Sequence, residues 1–378
     1  MDGTVEVKIL ARKAKFLSPI LNDKRKNEKF ITLDLETHFV KSDNGSLMVP
    51  YCVCYFAGQS KVLKSFYITD FSTVDRMMRA VFESLFVTKF KNHKVYVHNL
   101  SQFDGVFLIK YLSQIDGMAI NPVMRSGKII QLNCRFHGIT IAFRDSLLLL
   151  PASLASLCKS FDVEVSKDIF PYDFVTPDRL GYSGAVPAYR FFNRKKVSKL
   201  EYDSYVSAFS NRAWDMRAVT IDYCTKDCIS LYQVISKFSG LIFERFGIDA
   251  VKCTTIPALT FKIFRSGYLG DAQIPLIQGN IYNEIKPSYT GGSTELYKPY
   301  GENVHVYDVN GLYPSVMAKN KMPVGTPKYF VGDILRVDPN AFGFFNVEIT
   351  APEGLEYPIL QTRVQTPGGI RTVSPLGT

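Results

Sequence analysis

Two carboxylates stand two residues apart in a run whose apolar residues alternate with other types. Asp34 and Glu36 lie within the segment FITLDLE at residues 30–36. The alternation predicts a strand, on which side chains at positions i and i+2 share one face. Two adjacent like charges repel unless a cation lies between them, and hard divalent cations prefer carboxylate oxygens. The spacing therefore predicts a divalent-metal site, although an exposed polar strand face gives the same pattern.

A third carboxylate, Asp104, follows the segment HNLSQF at residues 98–103. That segment comes after a short apolar strand, residues 95–97, and before helical spacing at residues 103–112. Asp104 then lies in the first helical turn, where the helix dipole stabilises an anion. Asn99 is predicted to cap this helix, which would explain it without any role in catalysis.

Tyr223 and Asp227 are four residues apart within residues 216–238, which have the apolar spacing of a helix. Side chains at i and i+4 share a helix face, so these two project together. An aspartate there can bind a metal ion while the tyrosine hydroxyl positions a water molecule. The alternative is a surface aspartate beside a half-buried tyrosine.

The elements around these residues mix strands and helices, which predicts an α/β fold. Residues 171–189 are rich in proline and glycine and are predicted to form a long loop. The predicted strands are 30–36, 47–56, 62–68, 95–97, 129–132, 139–143 and 304–308, and the predicted helices are 74–87, 103–112, 216–238 and 257–264. We divide the chain into a polar N-terminal arm at 1–28, a first domain at 29–246 and a second region at 247–378.

Composition narrows the class of protein. Lys and Arg number 45 against 35 Asp and Glu, a net charge of +10 that weakly favours an anionic partner such as nucleic acid. The seven cysteines form no C-x-x-C pair, which argues for a reducing compartment and against a disulfide or zinc framework. The apolar stretch at residues 146–158 is too short to cross a bilayer and is broken by Pro151, so we expect no membrane association.

The three carboxylate segments, in this order, resemble the motifs of 3′–5′ proofreading exonucleases with a ribonuclease-H-like core. The resemblance implies that two metal ions, Mg²⁺ or alternatively Mn²⁺, are held by Asp34, Glu36, Asp104 and Asp227. It also implies that Tyr223 orients the nucleophilic water. Metal ions about 3.5–4 Å apart can stabilise both the attacking and the leaving oxygens of a phosphodiester.

The segment YDVNGLYP at residues 307–314 resembles the first palm motif of family B DNA polymerases, D-x-x-S-L-Y-P. The resemblance implies that Asp308 binds metal and nucleotide and that Tyr313 packs under the sugar of the incoming nucleotide. Gly311 replaces the usual serine, a mild departure because glycine suits this turn.

Shorter elements resemble those of the protein-primed branch of the family. Residues 289–292 resemble the Y-x-G-G loop that joins the exonuclease and polymerase modules, and residues 146–150 resemble the S/T-L-x-x-h element that grips a single-stranded 3′ end. Lys167 begins a K-x-x-h element and is implied to assist the exonuclease. The implied DNA-binding residues are Asn99, Phe103, Ser146, Leu147, Tyr289, Gly291 and Gly292.

The chain is similar to polymerases of linear mitochondrial plasmids and related bacteriophages. This implies a mitochondrial location and, as partners, template-primer DNA, deoxynucleotides and a terminal protein that primes synthesis and contacts the chain beyond residue 321. No D-T-D or K-x-x-x-S-x-Y-G segment follows Tyr313. We therefore expect an N-terminal portion of a polymerase that does not extend a primer by itself.

Two other functions are consistent with parts of this pattern. One is a non-catalytic remnant of a plasmid polymerase gene that binds single-stranded DNA. The other is a stand-alone repair exonuclease, against which the palm-like segment at residues 307–314 argues.

Overall fold

The computed structural model describes residues 6–9, 15–42, 45–125, 127–163, 169–290, 296, 298–352, 354–355, 358 and 360–374. The chain divides into two compact units. One unit is Ile20–Leu269, and the other combines Met1–Pro19 with Gly270–Thr378. The first unit is therefore wider at both ends than the range 29–246 that we interpret as the exonuclease, and that functional interpretation stays a prediction.

Strands and helices are numbered along the chain. The strands are β1 (Glu6–Ile9), β2 (Phe30–Ser42), β3 (Gly45–Ala57), β4 (Val62–Tyr67), β5 (Lys94–Val97), β6 (Ala119–Arg125), β7 (Lys128–Phe136), β8 (Ile139–Asp145), β9 (Ser183–Gly184), β10 (Trp214–Asp215), β11 (Lys328–Val331), β12 (Thr362–Thr366) and β13 (Gly369–Val373). The helices are α1 (Val74–Leu85), α2 (Asp104–Leu112), α3 (Leu154–Ser160), α4 (Lys199–Ser207), α5 (Met216–Phe246), α6 (Ile256–Gly267), α7 (Gly279–Ile285) and α8 (Leu312–Lys319).

A seven-stranded mixed sheet organises the unit Ile20–Leu269, with strand order β4-β3-β2-β5-β8-β7-β6. Strand β5 is parallel to both of its neighbours, β2 and β8, while the remaining pairs are antiparallel. Helices α1 and α2 pack on one face of the sheet, and α5 packs against β2 and β3 on the other. The α/β fold predicted from the sequence is confirmed.

The alternation along β2 decides which side chains face α5. Ile31, Leu33 and Leu35 are buried in the core cluster that includes α1 and α2. Thr32 points the other way, and its hydroxyl donates to the backbone carbonyl of Cys228 on α5 at 2.7 Å. Side chains at alternate positions share a face, so residues 34 and 36 also lie on the α5 side.

Helix α5 extends well beyond the predicted end at residue 238. It begins after Asp215, whose carboxylate accepts from the backbone N–H of Ala218 at 2.8 Å, as an N-cap does. It ends at Gly247, whose φ of 65° is the left-handed conformation that glycine adopts at a helix C-terminus. Ile248 and Val251 are then buried in the same cluster as the end of α5, so the compact unit does not stop at residue 246.

The described residues of the unit formed by the two chain ends include less regular structure than those of the first unit. In it β1 pairs antiparallel with β11, and β12 pairs with β13. The prediction of a strand at residues 304–308 is wrong. These residues are exposed and have no regular secondary structure. Their alternating pattern favours a strand locally, but a strand is stable only when a neighbouring strand completes its hydrogen bonds.

Asp23 joins the segment before the sheet to the residues that follow α5. Its carboxylate accepts from the ammonium of Lys262 at 2.7 Å, from Lys252 and from the backbone N–H of Asp249 at 2.8 Å. Burial raises the pKa of Asp23, but the hydrogen bonds from the two lysines outweigh it and lower the pKa from 3.8 to about 2. The ionised carboxylate therefore stabilises the fold above pH 4, and this contribution is lost as the pH falls through 2.

We expect Asp23→Asn to lower the free energy of unfolding by about 2 kcal/mol at pH 7, the equivalent of this pKa shift. The loss should shrink as the pH falls below 4, because the unaltered chain then gives up the same contribution. Urea unfolding at several pH values measures both effects. Asp203→Asn is the matched control, since Asp203 pairs with Lys199 on the exposed face of α4. A loss that is independent of pH, or equal in the control, would contradict the assignment.

Candidate active site

Carboxylates from β2 and α5 converge on one side of the sheet. One oxygen each from Asp34, Glu36 and Asp227 lie within 4.8 Å of one another. Asp227 is buried, and the two β2 residues are half-buried. Three carboxylates at this separation match the oxygen ligand set that a hard divalent cation takes. The alternation of β2 and the helical period of α5 together explain why these three meet.

Tyr223 stands one helical turn before Asp227 and is buried beside it, so the alternative of a half-buried tyrosine next to a surface aspartate is wrong. Its ring packs against Phe170 with the ring centres 4.9 Å apart. Burial raises the pKa of Tyr223, and the charge of Asp227 raises it further, with smaller contributions from Tyr172 and Glu36. The hydroxyl therefore stays protonated at neutral pH and can donate a hydrogen bond.

Tyr172 belongs to the site although our sequence analysis did not single it out. Its hydroxyl is hydrogen bonded to that of Tyr223, while about half of its side chain remains exposed. It lies in the short turn Tyr172–Phe174 within the segment that we predicted as a long loop. Loop residues have no periodicity that would predict which of them folds over a site, so the sequence held no clear signal for Tyr172.

Asp104 lies in the first turn of α2, as predicted, and is buried. It is not part of the group formed by Asp34, Glu36 and Asp227. Burial, together with the charge of Asp145, raises the pKa of Asp104 from 3.8 to about 7. Its role as a fourth metal ligand stays a prediction.

The predicted helix cap at Asn99 is wrong. Helix α2 follows Phe103, with no side-chain capping bond, and Asn99 stands outside the helix with a φ of 76°. The residues between them form a turn, in which the N–H groups of Gln102 and Phe103 donate to the carbonyl of Asn99. This extra turn separates Asn99 from the helix that it was expected to cap.

A second residue that we did not single out, Asp145, holds this turn in place. It ends β8 and is 1% exposed. One carboxylate oxygen accepts from the backbone N–H groups of Asn99 at 3.0 Å and Leu147 at 2.9 Å, and the other accepts from Ser101 at 2.8 Å. The position of Asp145 at the end of its strand could have predicted this contact. Strand β8 lies parallel to β5, and the carboxyl ends of adjacent parallel strands meet at one edge of the sheet.

The residues with implied roles in DNA contact have varied surroundings. Ser146 is fully buried, and its hydroxyl oxygen lies 3.0 Å from Nδ1 of His98. Phe103 and Leu147 are partly buried. Lys167, Gly291 and Gly292 lie outside the described residues. DNA contact by these residues and by Asn99 stays a prediction.

The palm-like residues lie in the other compact unit. Gly311 has a φ of 61° and precedes α8, so Tyr313 stands in the first turn of that helix with 67% of its surface exposed. Asp308 is also exposed. Tyr289 is exposed, and its carbonyl accepts from the guanidinium of Arg363 at 3.0 Å. The nucleotide contacts of Asp308 and Tyr313 stay predictions.

The sequence profile of the family described as "DNA polymerase type B, organellar and viral" matches residues 86–378. The chain belongs to this family, which confirms the resemblance to family B DNA polymerases. Among the described residues, no helix has the length and apolar character needed to cross a membrane.

Two curated relatives are each named "Probable DNA polymerase". The one from Ascobolus immersus is 40% identical over 382 residues, which cover 97% of this chain and 31% of that protein. The one from Neurospora intermedia is 40% identical over 381 residues, which cover 93% of this chain and 39% of that protein. The chain thus spans about a third of the length of these relatives.

The fold is similar to that of Phi29 DNA polymerase in its complex with primer-template DNA and incoming nucleotide substrates. The TM-score is 0.51 at 20% sequence identity, over 78% of this chain and 45% of the other. This likeness concerns the fold alone.

Proposed function

We propose that this chain is part of a protein-primed family B DNA polymerase and that its own residues form a 3′–5′ exonuclease site. The observation that carries the proposal is the convergence of Asp34, Glu36 and Asp227 beside the buried hydroxyl of Tyr223. Membership of the polymerase family supports DNA as the substrate. A non-catalytic DNA-binding remnant would have no need to keep three carboxylates this close, because unneutralised like charges repel.

The three carboxylates fit a hard divalent cation such as Mg²⁺, with Mn²⁺ as an alternative. We assign Asp34, Glu36 and Asp227 as its ligands and Asp104 as a further one for a second ion. Ions bound there supply an activated water and stabilise the charge that develops on the phosphodiester oxygens. The Tyr223 hydroxyl, held by Tyr172, is assigned to orient the attacking water.

The wider polymerase function rests on the family and on the palm-like segment. We propose that Asp308 and Tyr313 contact metal and deoxynucleotide, and that template-primer DNA and a terminal protein are the partners. The Phi29 DNA polymerase structure with the similar fold is a complex with primer-template DNA and incoming nucleotide substrates. The resemblance to polymerases of linear mitochondrial plasmids leads us to propose a plasmid polymerase located in mitochondria, and two of the relatives are fungal.

The test is degradation of a single-stranded oligonucleotide labelled at its 5′ end. With Mg²⁺ present we expect a ladder of products shortened from the 3′ end, and EDTA should abolish it. The same strand labelled at its 3′ end should release labelled mononucleotide first. Internal cuts, or degradation that continues in EDTA, would contradict the proposal, and a shifted gel band without metal-dependent degradation would favour the DNA-binding alternative. We expect no templated primer extension by this chain.

A further inference from the structure

Four buried cysteines meet between β3 and α5, next to the carboxylate site but separate from it. Cys52 and Cys54 are two residues apart on β3, and Cys224 and Cys228 are one turn apart on α5. Each is at most 1% exposed. Strand alternation places the first pair on the face that α5 covers, and the helical period places the second pair opposite.

The sulfur atoms are close enough to share one ion. Those of Cys52, Cys54 and Cys224 all lie within 4.8 Å of one another, and the first two are 4.0 Å apart. A tetrahedral zinc ion with Zn–S bonds of about 2.3 Å spaces its sulfurs by about 3.8 Å. Small side-chain movements would therefore bring three thiolates to ligand distance.

A fourth sulfur stands beside these three. The thiol of Cys228 donates to the backbone carbonyl of Cys54 at 3.2 Å, one helical turn from Cys224. Breaking this bond and turning the side chain would complete a set of four thiolates. Closed sites of four sulfur ligands are typical of structural zinc.

We propose that Cys52, Cys54, Cys224 and Cys228 bind a thiophilic d¹⁰ cation, Zn²⁺. Binding releases the four thiol protons to solvent and involves no change of oxidation state. The sequence argued against a zinc framework because no C-x-x-C pair occurs, but the fold assembles the ligands from two distant pairs. Soft sulfur ligands select zinc, whereas the neighbouring carboxylates select harder cations, so the two sites discriminate between metals.

The position of this thiolate site suggests what it stabilises. In the register of β2 and β3, Cys54 is opposite Asp34 and Cys52 is opposite Glu36. On α5, Cys224 and Cys228 directly follow Tyr223 and Asp227 in sequence. A zinc ion here would link β3 to α5 and so fix the distance between the carboxylates of β2 and that of Asp227.

The experiment uses the full chain, purified under reducing conditions and dialysed against EDTA to remove carboxylate-bound ions. We expect it to retain about one zinc ion per chain by mass spectrometry of the metal, since closed thiolate sites exchange slowly. Replacement by Co²⁺ should produce a thiolate-to-metal charge-transfer band in the near ultraviolet and visible bands of tetrahedral cobalt. Cys52→Ala and Cys224→Ala should lose the ion. Cys134→Ala is the matched control, a buried cysteine on β7 in the opposite core cluster.

The spectrum of the unaltered chain keeps the test independent of whether the variants fold. If that chain binds no zinc and its Co²⁺ form lacks the thiolate band, the proposal is overturned. A disulfide between Cys52 and Cys224, found by peptide mass mapping, would overturn it as well. The readouts are metal content and spectrum, so they do not depend on whether the chain degrades DNA.

Discussion

Replacing Asp227 by Asn is expected to slow metal-dependent removal of 3′-terminal nucleotides by at least ~10³-fold, because a divalent ion contributes several kcal/mol of transition-state stabilisation. The amide has nearly the shape of the carboxylate, so the packing of α5 against β2 should survive. What is lost is one negative charge from a group of three whose oxygens lie within 4.8 Å of one another. The rate of shortening of a 5′-labelled single strand, measured with excess enzyme, reports the effect.

Helix α5 offers a matched control for this substitution. Asp222 lies on the same helix, is largely exposed and pairs with Lys226 at 2.7 Å. Asp222→Asn therefore makes the same chemical change away from the site and should leave the rate within about twofold, as for an exposed ion pair. Asp34→Ala should behave like Asp227→Asn. Equal rates in the unaltered chain and in both site variants would remove the metal assignment.

The part of the site that could be predicted from the sequence is the part set by local periodicity. The two-residue period of β2 predicted that Asp34 and Glu36 share a face, and the helical period predicted that Tyr223 and Asp227 project together. The order of these segments along the chain then supported their convergence. Each inference needed only residues within one element, where side-chain direction follows from backbone geometry.

The parts that could not be predicted depend on contacts between distant residues. Tyr172 lies in an irregular loop and contacts Tyr223 on α5. Asp145 lies at the end of β8 and accepts hydrogen bonds from the turn that contains Asn99. The thiols of β3 and α5 come from pairs about 170 residues apart, as for Cys54 and Cys228. The prediction of a strand at residues 304–308 failed for the same reason. The alternating pattern of a segment does not show whether another strand lies next to it.

Replacing Asp145 by Ala is expected to lower the free energy of unfolding by about 3–5 kcal/mol, because three partly buried N–H groups lose a charged acceptor. The turn that carries Asn99 and leads into Asp104 would lose its anchor, so degradation of single-stranded DNA should also slow. Urea unfolding and the rate of strand shortening measure the two effects. Amide hydrogen exchange at Asn99 and Ser101 should accelerate, because these N–H groups lose their acceptor. Faster exchange there would show that the turn itself is less ordered.

The Asn variant separates positioning of the turn from stability of the fold. In Asp145→Asn the remaining oxygen can still accept from Asn99 and Leu147, while the new amide faces the N–H of Ser101 and cannot accept from it. We therefore expect a cost of about 1–3 kcal/mol, that of one unsatisfied donor, and a folded chain with slower degradation. Asp215→Ala is the control, because it removes one bond to a backbone N–H at the start of α5 and should cost about 1 kcal/mol. If Asp145→Asn degrades DNA as fast as Asp215→Ala does, the Asp145 carboxylate supports the fold but does not position the turn for catalysis.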